Sequence, residues 1–334
     1  MSRPLRIAIV CVAGVVLLAV ALRGVDLSRV RALVAGVRPG WVAAALAVYV
    51  SAYVLRALRW RLILKPVARV RVPESFFMLM AGYFVNYIVP VRAGEVAKAF
   101  FLKRLKGVPI ATSLPTIYVD KLFELMSVVL VLLLVPVLSL SLTGYLATLV
   151  YSVLTVFVLA LALLLFALAN GRGTVRALSL ATAWLPAGTH ARLSRWFALL
   201  VEGMGVARAS VRSLGSLVGL TAAAVALDAT YFALMFRAFS LDIPFAQVLF
   251  GYTLLSVSYI LPTPPAQIGH NEFLMVVIFA EGFGLGRTEV TALMLVAHAL
   301  TGVLITALGL WSFGAMSIRV GESFRHPAKE ERPS

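Results

Sequence analysis

Two short stretches of this sequence place charged and turn-forming residues where an apolar run should continue. The first, GYFVNYIVPVRAGEVAK (82–98), breaks at a proline and then carries Arg92, Glu95 and Lys98. If a helix restarts near Gly94, Glu95 and Lys98 lie one turn apart on the same face, just after Arg92. Two cations, a carboxylate and helix N-terminal amides are suited to binding a phosphate headgroup. Alternatively, Glu95 pairs with one of these cations and only supports the bend.

The second stretch, SYILPTPPAQIGHNE (258–272), repeats the pattern with a longer turn. It ends in His270, Asn271 and Glu272, at the predicted start of another half-helix. A carboxylate facing a wet cavity could carry a proton or attract a cationic group. The alternative is a helix-start acid that is favoured by the helix dipole.

Three further charges open the apolar run 115–138. Asp120 and Glu124 share a helix face, and Lys121 can pair with Glu124 across one turn. Two carboxylates alone are a weak signal for acid–base or metal chemistry, because neither a histidine nor a third carboxylate is near in sequence. We therefore predict a cavity-lining pair that answers Arg92 or Lys98.

Single polar residues also interrupt other apolar runs. Asp228 lies deep in the run 214–239, and His298 lies in the run 288–312. A charge at the centre of a membrane helix costs about 2.5–3.5 kcal/mol, so Asp228 must face protein or water. His298 either shuttles protons or is a hydrogen-bonded buried histidine. Asn86 precedes the first break, where its amide can bind open backbone groups.

The composition indicates an integral membrane protein. The chain is 61% hydrophobic and 13% charged, whereas soluble proteins are about half apolar and about a quarter charged. The net charge of +16 is explained by basic cytoplasmic loops, so we predict no nucleic-acid partner. One cysteine, Cys11, excludes an internal disulfide, and the four scattered histidines predict no metal site. The sequence predicts no cofactor, and nothing in it resembles an ATP-binding loop.

Apolar runs that reach or nearly reach membrane-spanning length predict about six spanning helices. These runs are 5–22, 40–58, 115–138, 145–169, 214–239 and 288–312. The shorter runs 74–90 and 245–261 end at prolines. Irregular backbone at membrane depth must be buried in protein or line a cavity, so both are predicted to be re-entrant.

The loop charges predict an orientation in the cytoplasmic membrane with both termini in the cytoplasm. The basic segments 56–73, 92–106 and 170–212 are assigned inside, and the charge-poor loops 139–144 and 240–244 outside. Loop 23–38, with four arginines, conflicts with this assignment. One re-entrant pair then enters from each side, which is an inverted-topology repeat.

The predicted fold class is therefore an all-α polytopic membrane protein with one transmembrane domain, 1–320. Its repeats are about 40–138 and 214–312. The segment 170–212 either forms interfacial helices or is a solvated basic loop. The tail 321–334 is predicted to be disordered and cytoplasmic.

The motifs resemble the transmembrane-domain family of lysylphosphatidylglycerol synthase, the flippase-like integral membrane proteins. The matching residues are Gly82, Asn86, Pro90, Arg92, Gly94, Glu95, Lys98, Asp120, Glu124, Leu261, Pro262, Thr263, Pro264, Gly269 and Glu272. The resemblance covers nearly the whole chain. It implies a helical bundle with re-entrant helices that moves or presents lipids across the cytoplasmic membrane.

The sequence departs from that family in the second repeat. Pro265-Ala266-Gln267 stands where the family has a glycine pair, and His298 stands where an arginine is common. The family's soluble acyltransferase domain is not found in this sequence. We expect a non-enzymatic translocase for a phospholipid or other lipid-linked substrate. A membrane-embedded transferase and a lipid-presenting partner of a separate synthase stay open as alternatives, as does a homo-oligomer.

Overall fold

The part of the chain that can be described is entirely helical in character. The computed structural model describes residues 3–89, 93–133, 211–258, 263–318 and isolated residues between 152 and 194. No strand occurs within these ranges, which confirms the predicted all-α class for the described residues. The predictions for Arg92, for the run 145–169, for most of the segment 170–212 and for the tail 321–334 lie outside them.

The helices follow the predicted runs closely. Their bounds are α1 (Arg3–Leu22), α2 (Leu27–Ala35), α3 (Pro39–Leu64), α4 (Val72–Ile88), α5 (Ala93–Lys106), α6 (Ile110–Leu133), α7 (Val211–Ala238), α8 (Phe245–Ser258), α9 (His270–Met275) and α10 (Arg287–Ala315). Between α8 and α9 lies a short 3-10 turn, Pro265–Gln267, and α9 continues as a π-helical segment, Val276–Gly282.

Three of the described helices are long and apolar enough to cross a membrane. They are Pro39–Leu64, Leu214–Ala238 and Arg287–Ala315. The pair Val10–Leu22 and Leu27–Ala35, bent by 85°, forms a fourth candidate. At 1.5 Å per residue, the 26 residues of α3 extend about 39 Å, more than the hydrocarbon thickness of a bilayer.

The sequence treated 23–38 as a loop, but part of it forms helix α2. Asp26 caps this helix by accepting hydrogen bonds from the backbone amides of Ser28 (2.9 Å) and Arg29 (3.2 Å). The Arg29 side chain forms an ion pair with Glu289 at the start of α10. One of the four arginines that conflicted with the predicted orientation is therefore neutralised by a partner.

The predicted run 40–58 ended too early. Helix α3 continues to Leu64 and includes Arg56 and Arg59, which the sequence analysis counted as loop charges. Both arginines are paired with carboxylates on other helices, as described below. Because these partners remove the cost of burying the charges, the helix continues through them.

Helices α3 and α7 pack against each other in antiparallel directions. The backbone amide of Arg38, just before α3, donates to the carbonyl of Ala238 at the end of α7 (3.1 Å). Near the other end of α3, the Arg59 guanidinium reaches Thr221, early in α7 (3.2 Å). Later positions of α3 thus contact earlier positions of α7. The two helices form the centre of the described bundle.

Helices α4 and α5 form a hairpin, which we call hairpin 1. At its tip, the Gly94 amide donates to Asn86 Oδ1 (2.7 Å), the role predicted for this asparagine. At its open end, Lys106 at the end of α5 binds Glu74 at the start of α4 (3.0 Å). Partial burial raises the pKa of Glu74, but hydrogen bonds from the Arg71 amide and from Lys106 outweigh it, and the pKa falls to about 2.

Helices α8 and α9 form the corresponding hairpin 2. Near its tip, Ser258 Oγ lies 2.9 Å from His270 Nε2. Towards its open end, the rings of Phe250 and Phe283 lie 6.1 Å apart. The hairpins pack reciprocally: α4 against α10, and α8 against α6.

The helix groups α3–α6 and α7–α10 correspond element by element. Helices α3 and α7 begin 172 residues apart, at Pro39 and Val211. After the hairpin turns, α5 and α9 begin 177 residues apart, and so do α6 and α10. The two groups therefore share one helix order, and a longer turn at the tip of hairpin 2 accounts for the five extra residues.

The close contact inside hairpin 1 generates a stability prediction. A Cβ on Gly94 would meet the Gly82 carbonyl oxygen and would lie 2.7 Å from the amide of Asn86. We expect Gly94→Ala to destabilise the protein by about 1–3 kcal/mol, because overpacking forces the helices apart. The measurement is thermal unfolding of the purified protein in detergent.

The matched control is Gly219→Ala in α7, where an added Cβ would meet nothing within 4 Å. That change should be neutral or stabilise the helix by about 0.5–1 kcal/mol. Equal melting temperatures for the two variants would contradict the packing described for hairpin 1.

Candidate functional site

Six charged side chains from α3, α5 and α6 alternate in sign and form a continuous chain of ion pairs. They follow one another as Asp120, Arg59, Glu124, Lys121, Glu95 and Lys98. We call this set the six-charge chain. Three cations balance three carboxylates, so the set is formally neutral. Neutrality matters because an uncompensated charge at this depth is costly.

Arg59 is the most buried member of the six-charge chain, with 1% of its surface exposed. Its Nε donates to Asp120 at 2.8 Å, and one terminal nitrogen lies 3.2 Å from Glu124. The other terminal nitrogen donates to Thr221 Oγ1 on α7. The guanidinium fork therefore joins α3 to both α6 and α7. The sequence analysis predicted Arg92 or Lys98 as the partner of Asp120 and Glu124. The structure pairs them with Arg59 and Lys121 instead.

Lys121 and Lys98 share the carboxylate of Glu95 at the tip of hairpin 1. Lys98 lies 2.6 Å from Glu95, and Lys121 lies 3.2 Å from it and 2.6 Å from Glu124. Tyr83 also donates to Glu124 at 3.2 Å. Lys98 is only 2% exposed, so in this conformation it serves Glu95 rather than an external headgroup. This arrangement corresponds to the alternative in which Glu95 pairs internally.

Asp228 in α7 pairs with Arg56 in α3. One guanidinium nitrogen lies 3.2 Å from Asp228 Oδ1, and the other contacts Oδ2, so the pairing is bidentate. Tyr252 of α8 donates to the same carboxylate at 2.6 Å. The prediction that Asp228 faces protein or water is confirmed by these protein contacts. Arg56 and Asp228 are 172 residues apart, so corresponding positions of the two helix groups meet each other.

The second polar cluster lies at the tip of hairpin 2. Glu272 and His298 are buried, with Glu272 Oε1 at 2.5 Å from His298 Nδ1. The other oxygen of Glu272 accepts from the Gly269 amide at 2.8 Å. His298 Nε2 faces the carbonyl oxygen of Ala266 at 2.7 Å. The last turn of the polar segment is thus bound to α10.

His270 and Asn271 complete this cluster. His270 faces Ser258 across the hairpin, and Asn271 donates to Gln267 at 3.0 Å. The Oδ1 of Asn271 is buried without a hydrogen-bond partner among the described residues. An unpartnered buried acceptor can receive a donor from water or from a ligand.

The two clusters are built on corresponding positions. Glu272 and His298 are separated by 26 residues, as are Glu95 and Lys121. Each pair joins the second arm of a hairpin to the long helix that follows it. A carboxylate–cation pair therefore recurs, with lysine in the first group and histidine in the second.

A second correspondence links the central helices. Arg59 on α3 reaches Asp120 on α6, and the corresponding Tyr231 on α7 donates to the Ala297 carbonyl on α10 at 3.3 Å. The contact of Arg59 with Thr221 is likewise matched by the packing of Tyr231 on Tyr49, with ring centroids 4.9 Å apart.

The sequence analysis missed Arg56, Arg59, Tyr83 and Tyr252 as members of the polar sites. The two arginines were counted as cytoplasmic loop charges, and neither tyrosine lies in a recognised motif. One signal was present in the sequence: the spacing of 26 residues from each motif glutamate to a later cation. Among the described residues, no three His, Cys, Asp or Glu side chains are grouped as a metal site requires.

Removing Arg59 should be strongly destabilising. We expect Arg59→Gln to lower the free energy of unfolding by about 3–5 kcal/mol, since it leaves Asp120 buried beside a neutral group. Arg69→Gln, which removes an exposed arginine from the following turn, should change stability by less than about 0.5 kcal/mol. Thermal unfolding in detergent compares the two, and similar losses would contradict the assigned role of Arg59.

Exchanging the charges of the central pair tests the contact between α3 and α7. Arg56→Asp and Asp228→Arg should each be destabilising, because each places two like charges together. The double variant restores opposite charges and should recover at least half of the summed loss in a double-mutant cycle of unfolding free energies. Strict additivity would show that the two side chains do not interact.

Comparison with known proteins agrees with the motifs and with the helical architecture. Residues 5–309 match the family described as "Lysylphosphatidylglycerol synthase TM region". A UPF0104 membrane protein of Methanothermobacter thermautotrophicus is 27% identical over 274 residues, 77% of this chain and 78% of that protein. A protein named glycosyltransferase AglD, from Haloferax volcanii, is 28% identical over 108 residues.

The latter match covers 31% of this chain and only 17% of the glycosyltransferase-named protein. No solved structure matches the chain. The family match, in contrast, spans nearly the whole sequence and includes both hairpins and both polar clusters. This chain is a membrane protein that belongs to the family of the lysylphosphatidylglycerol synthase transmembrane region.

Proposed function

We propose that this chain is a non-enzymatic lipid translocase of the cytoplasmic membrane, moving or presenting an anionic or headgroup-modified lipid. The observation that carries the proposal is the pair of buried carboxylate–cation clusters at the tips of two helical hairpins. A lipid headgroup crossing the bilayer meets the same electrostatic cost as a buried side chain. Groups that already neutralise one another can exchange partners with such a headgroup.

The proposed architecture is an inverted-topology repeat with six spanning helices. Its support is the antiparallel packing of α3 and α7, together with the correspondence of helix starts and ion pairs between the two groups. Each hairpin follows one of these antiparallel helices, so the hairpins open towards opposite sides. This geometry is typical of transporters whose substrate site lies at the repeat interface.

The basic open end of hairpin 1 favours the cytoplasmic side for that hairpin. Lys103, Arg104 and Lys106 end α5, whereas only Asp242 is charged in the connection between α7 and α8. By the positive-inside rule, hairpin 1 enters from the cytoplasm, hairpin 2 enters from outside, and both termini are cytoplasmic.

Glu95 is the residue that controls access in hairpin 1. It holds two lysines, Lys98 and Lys121, that would otherwise be uncompensated. An anionic headgroup arriving at the hairpin tip can replace this carboxylate as the partner of either lysine. The charge balance is then kept while Glu95 turns away, and Tyr83 continues to donate to Glu124.

An apolar groove gives the lipid tails a place beside the bundle. It has a volume of about 370 Å³ and lies between α2, α3 and α10, lined by Val34, Val37, Pro39, Val42, Ala43, Leu46, Val296 and Leu300. These side chains offer acyl chains an environment similar to the bilayer itself. A headgroup can then move among the polar residues while its tails stay in hydrocarbon.

The name of one relative favours a second candidate function. A protein called a glycosyltransferase shares 108 residues of similarity with this chain. A membrane-embedded transferase would act on a lipid-linked substrate, with Asp120 or Glu272 as the base. A third function, lipid presentation to a separate synthase, would need association with that enzyme.

The test is lipid movement in proteoliposomes. Purified protein is reconstituted with fluorescent phospholipids of anionic, zwitterionic and cationic headgroups, and an impermeant quencher reports their exchange between leaflets. We expect headgroup-dependent exchange that Glu95→Gln slows at least about tenfold, equivalent to about 1.4 kcal/mol in the barrier. Glu281→Gln, the same change at an exposed acid, should leave the rate unchanged.

Exchange no faster than in empty liposomes, for every headgroup, would contradict the translocase function. Conversion of the lipid to a new product would then favour the transferase, and co-purification with a lipid-modifying enzyme would favour the presenting partner. Equal slowing by both variants would show that the effect is not specific to the hairpin tip.

A further inference from the structure

The contacts of His298 fix how many protons its cluster holds. Ring nitrogen Nε2 faces the carbonyl oxygen of Ala266, which can only accept a hydrogen bond, so Nε2 carries a proton. The other nitrogen, Nδ1, faces a carboxyl oxygen of Glu272 at 2.5 Å. That second contact also needs a proton between its two heavy atoms.

Two arrangements satisfy both contacts. In one, an imidazolium donates to the Glu272 carboxylate and to Ala266. In the other, a neutral imidazole donates to Ala266 and accepts from a protonated Glu272. Both hold one proton more than a neutral histidine beside a carboxylate, and in both the pair has no net charge.

We propose that Glu272 and His298 form a proton-binding site, and that this conformation is its proton-loaded state. Loss of the proton to water leaves a net negative charge on a pair whose side chains are 3% and 9% exposed. It also sets two lone pairs against each other at one of the contacts. The imidazole must then give up either Glu272 or the Ala266 carbonyl.

The consequence of release falls on the tip of hairpin 2. Ala266 (φ 52°) and Gln267 (φ 58°) both have left-handed backbone conformations that are uncommon for residues other than glycine. The hydrogen bond from His298 holds this turn against α10. An emptied site therefore frees a strained turn at the position where the hairpin reverses.

Other groups around the pair do not supply the missing charge. Tyr87 at the end of α4 has its ring 6.5 Å from the His298 ring, and His270 on α9 faces Ser258. Helix α1 meets the turn through the backbone of Gly14 and Leu18, neither of which titrates. Proton exchange thus takes place on Glu272 and His298 themselves.

The corresponding pair in the first helix group explains why only one of the two sites responds to protons. Lys121, beside Glu95, has an ordinary pKa of about 10.4, and histidine has one of about 6.5. A lysine at this position keeps its charge through the physiological range, whereas a histidine can exchange its proton. The two hairpins therefore differ in their response to pH although their geometry corresponds.

Thermal unfolding of the full chain in detergent from pH 6.5 to 8.5 tests proton binding directly. In this range the unfolded chain has ordinary histidine and glutamate and holds about one proton fewer than the loaded native pair. Unfolding then releases a proton, so stability falls as the pH rises, by up to about tenfold in the folding equilibrium per pH unit. This fall should be absent in His298→Lys and in His298→Gln.

His270→Gln, a neighbouring histidine outside the pair, should retain the wild-type pH dependence. Parallel pH profiles for the wild type and both His298 variants would overturn the proposal. Because the lysine variant copies the residue found at Lys121, it provides a folded comparison even if the glutamine variant fails to fold.

Coupling of this proton to lipid movement rests on the proposed function, whereas proton binding does not. In proteoliposomes, the wild-type exchange rate should change with pH and that of His298→Lys should not. A wild type without lipid exchange would contradict the translocase function and leave the unfolding result valid. Exchange with the same pH dependence in both proteins would overturn the coupling.

Discussion

Burial of charge in a low-dielectric environment is the constraint on which the rest of this structure depends. An ionisable side chain at membrane depth needs a partner, and every predicted acidic site residue that the structure describes has one. Those partners come from different helices, so ion pairing also determines which helices must be neighbours. Arg59 alone joins α3, α6 and α7. The polar site and the central packing of the bundle are therefore one structural feature.

The correspondence between the two helix groups gives this arrangement its functional interest. A carboxylate–cation pair recurs at each hairpin tip, and Arg56 meets Asp228 where the two groups cross. Repeats with related geometry can exchange conformations at low cost, because each arrangement is already accessible to the other half. Lysine in one pair and histidine in the other breaks this equivalence chemically. A device that moves a lipid in one direction needs such a difference.

Much of the fold could be predicted from sequence, because apolar runs and prolines act locally. The breaks near 90 and 262, the role of Asn86 and the helix positions follow from such local rules. The pairing of charges could not be predicted in the same way, since it depends on which helices meet. Arg56 and Arg59 therefore looked like loop residues, and Asp120 was assigned the wrong partner. Helix α2 was missed because its arginines, whose partners lie far along the chain, suggested a loop.

The opposed entry of the two hairpins is the central claim, and labelling of single cysteines from either side of the membrane tests it most directly. With Cys11→Ser as background, Lys103→Cys marks the open end of hairpin 1 and Asp242→Cys the start of hairpin 2; both positions are exposed. The account predicts that an impermeant thiol reagent added to intact cells labels Asp242→Cys alone, and that Lys103→Cys reacts only after the membrane is opened. Labelling of both cysteines from the same side would contradict the inverted repeat and the lipid pathway built on it.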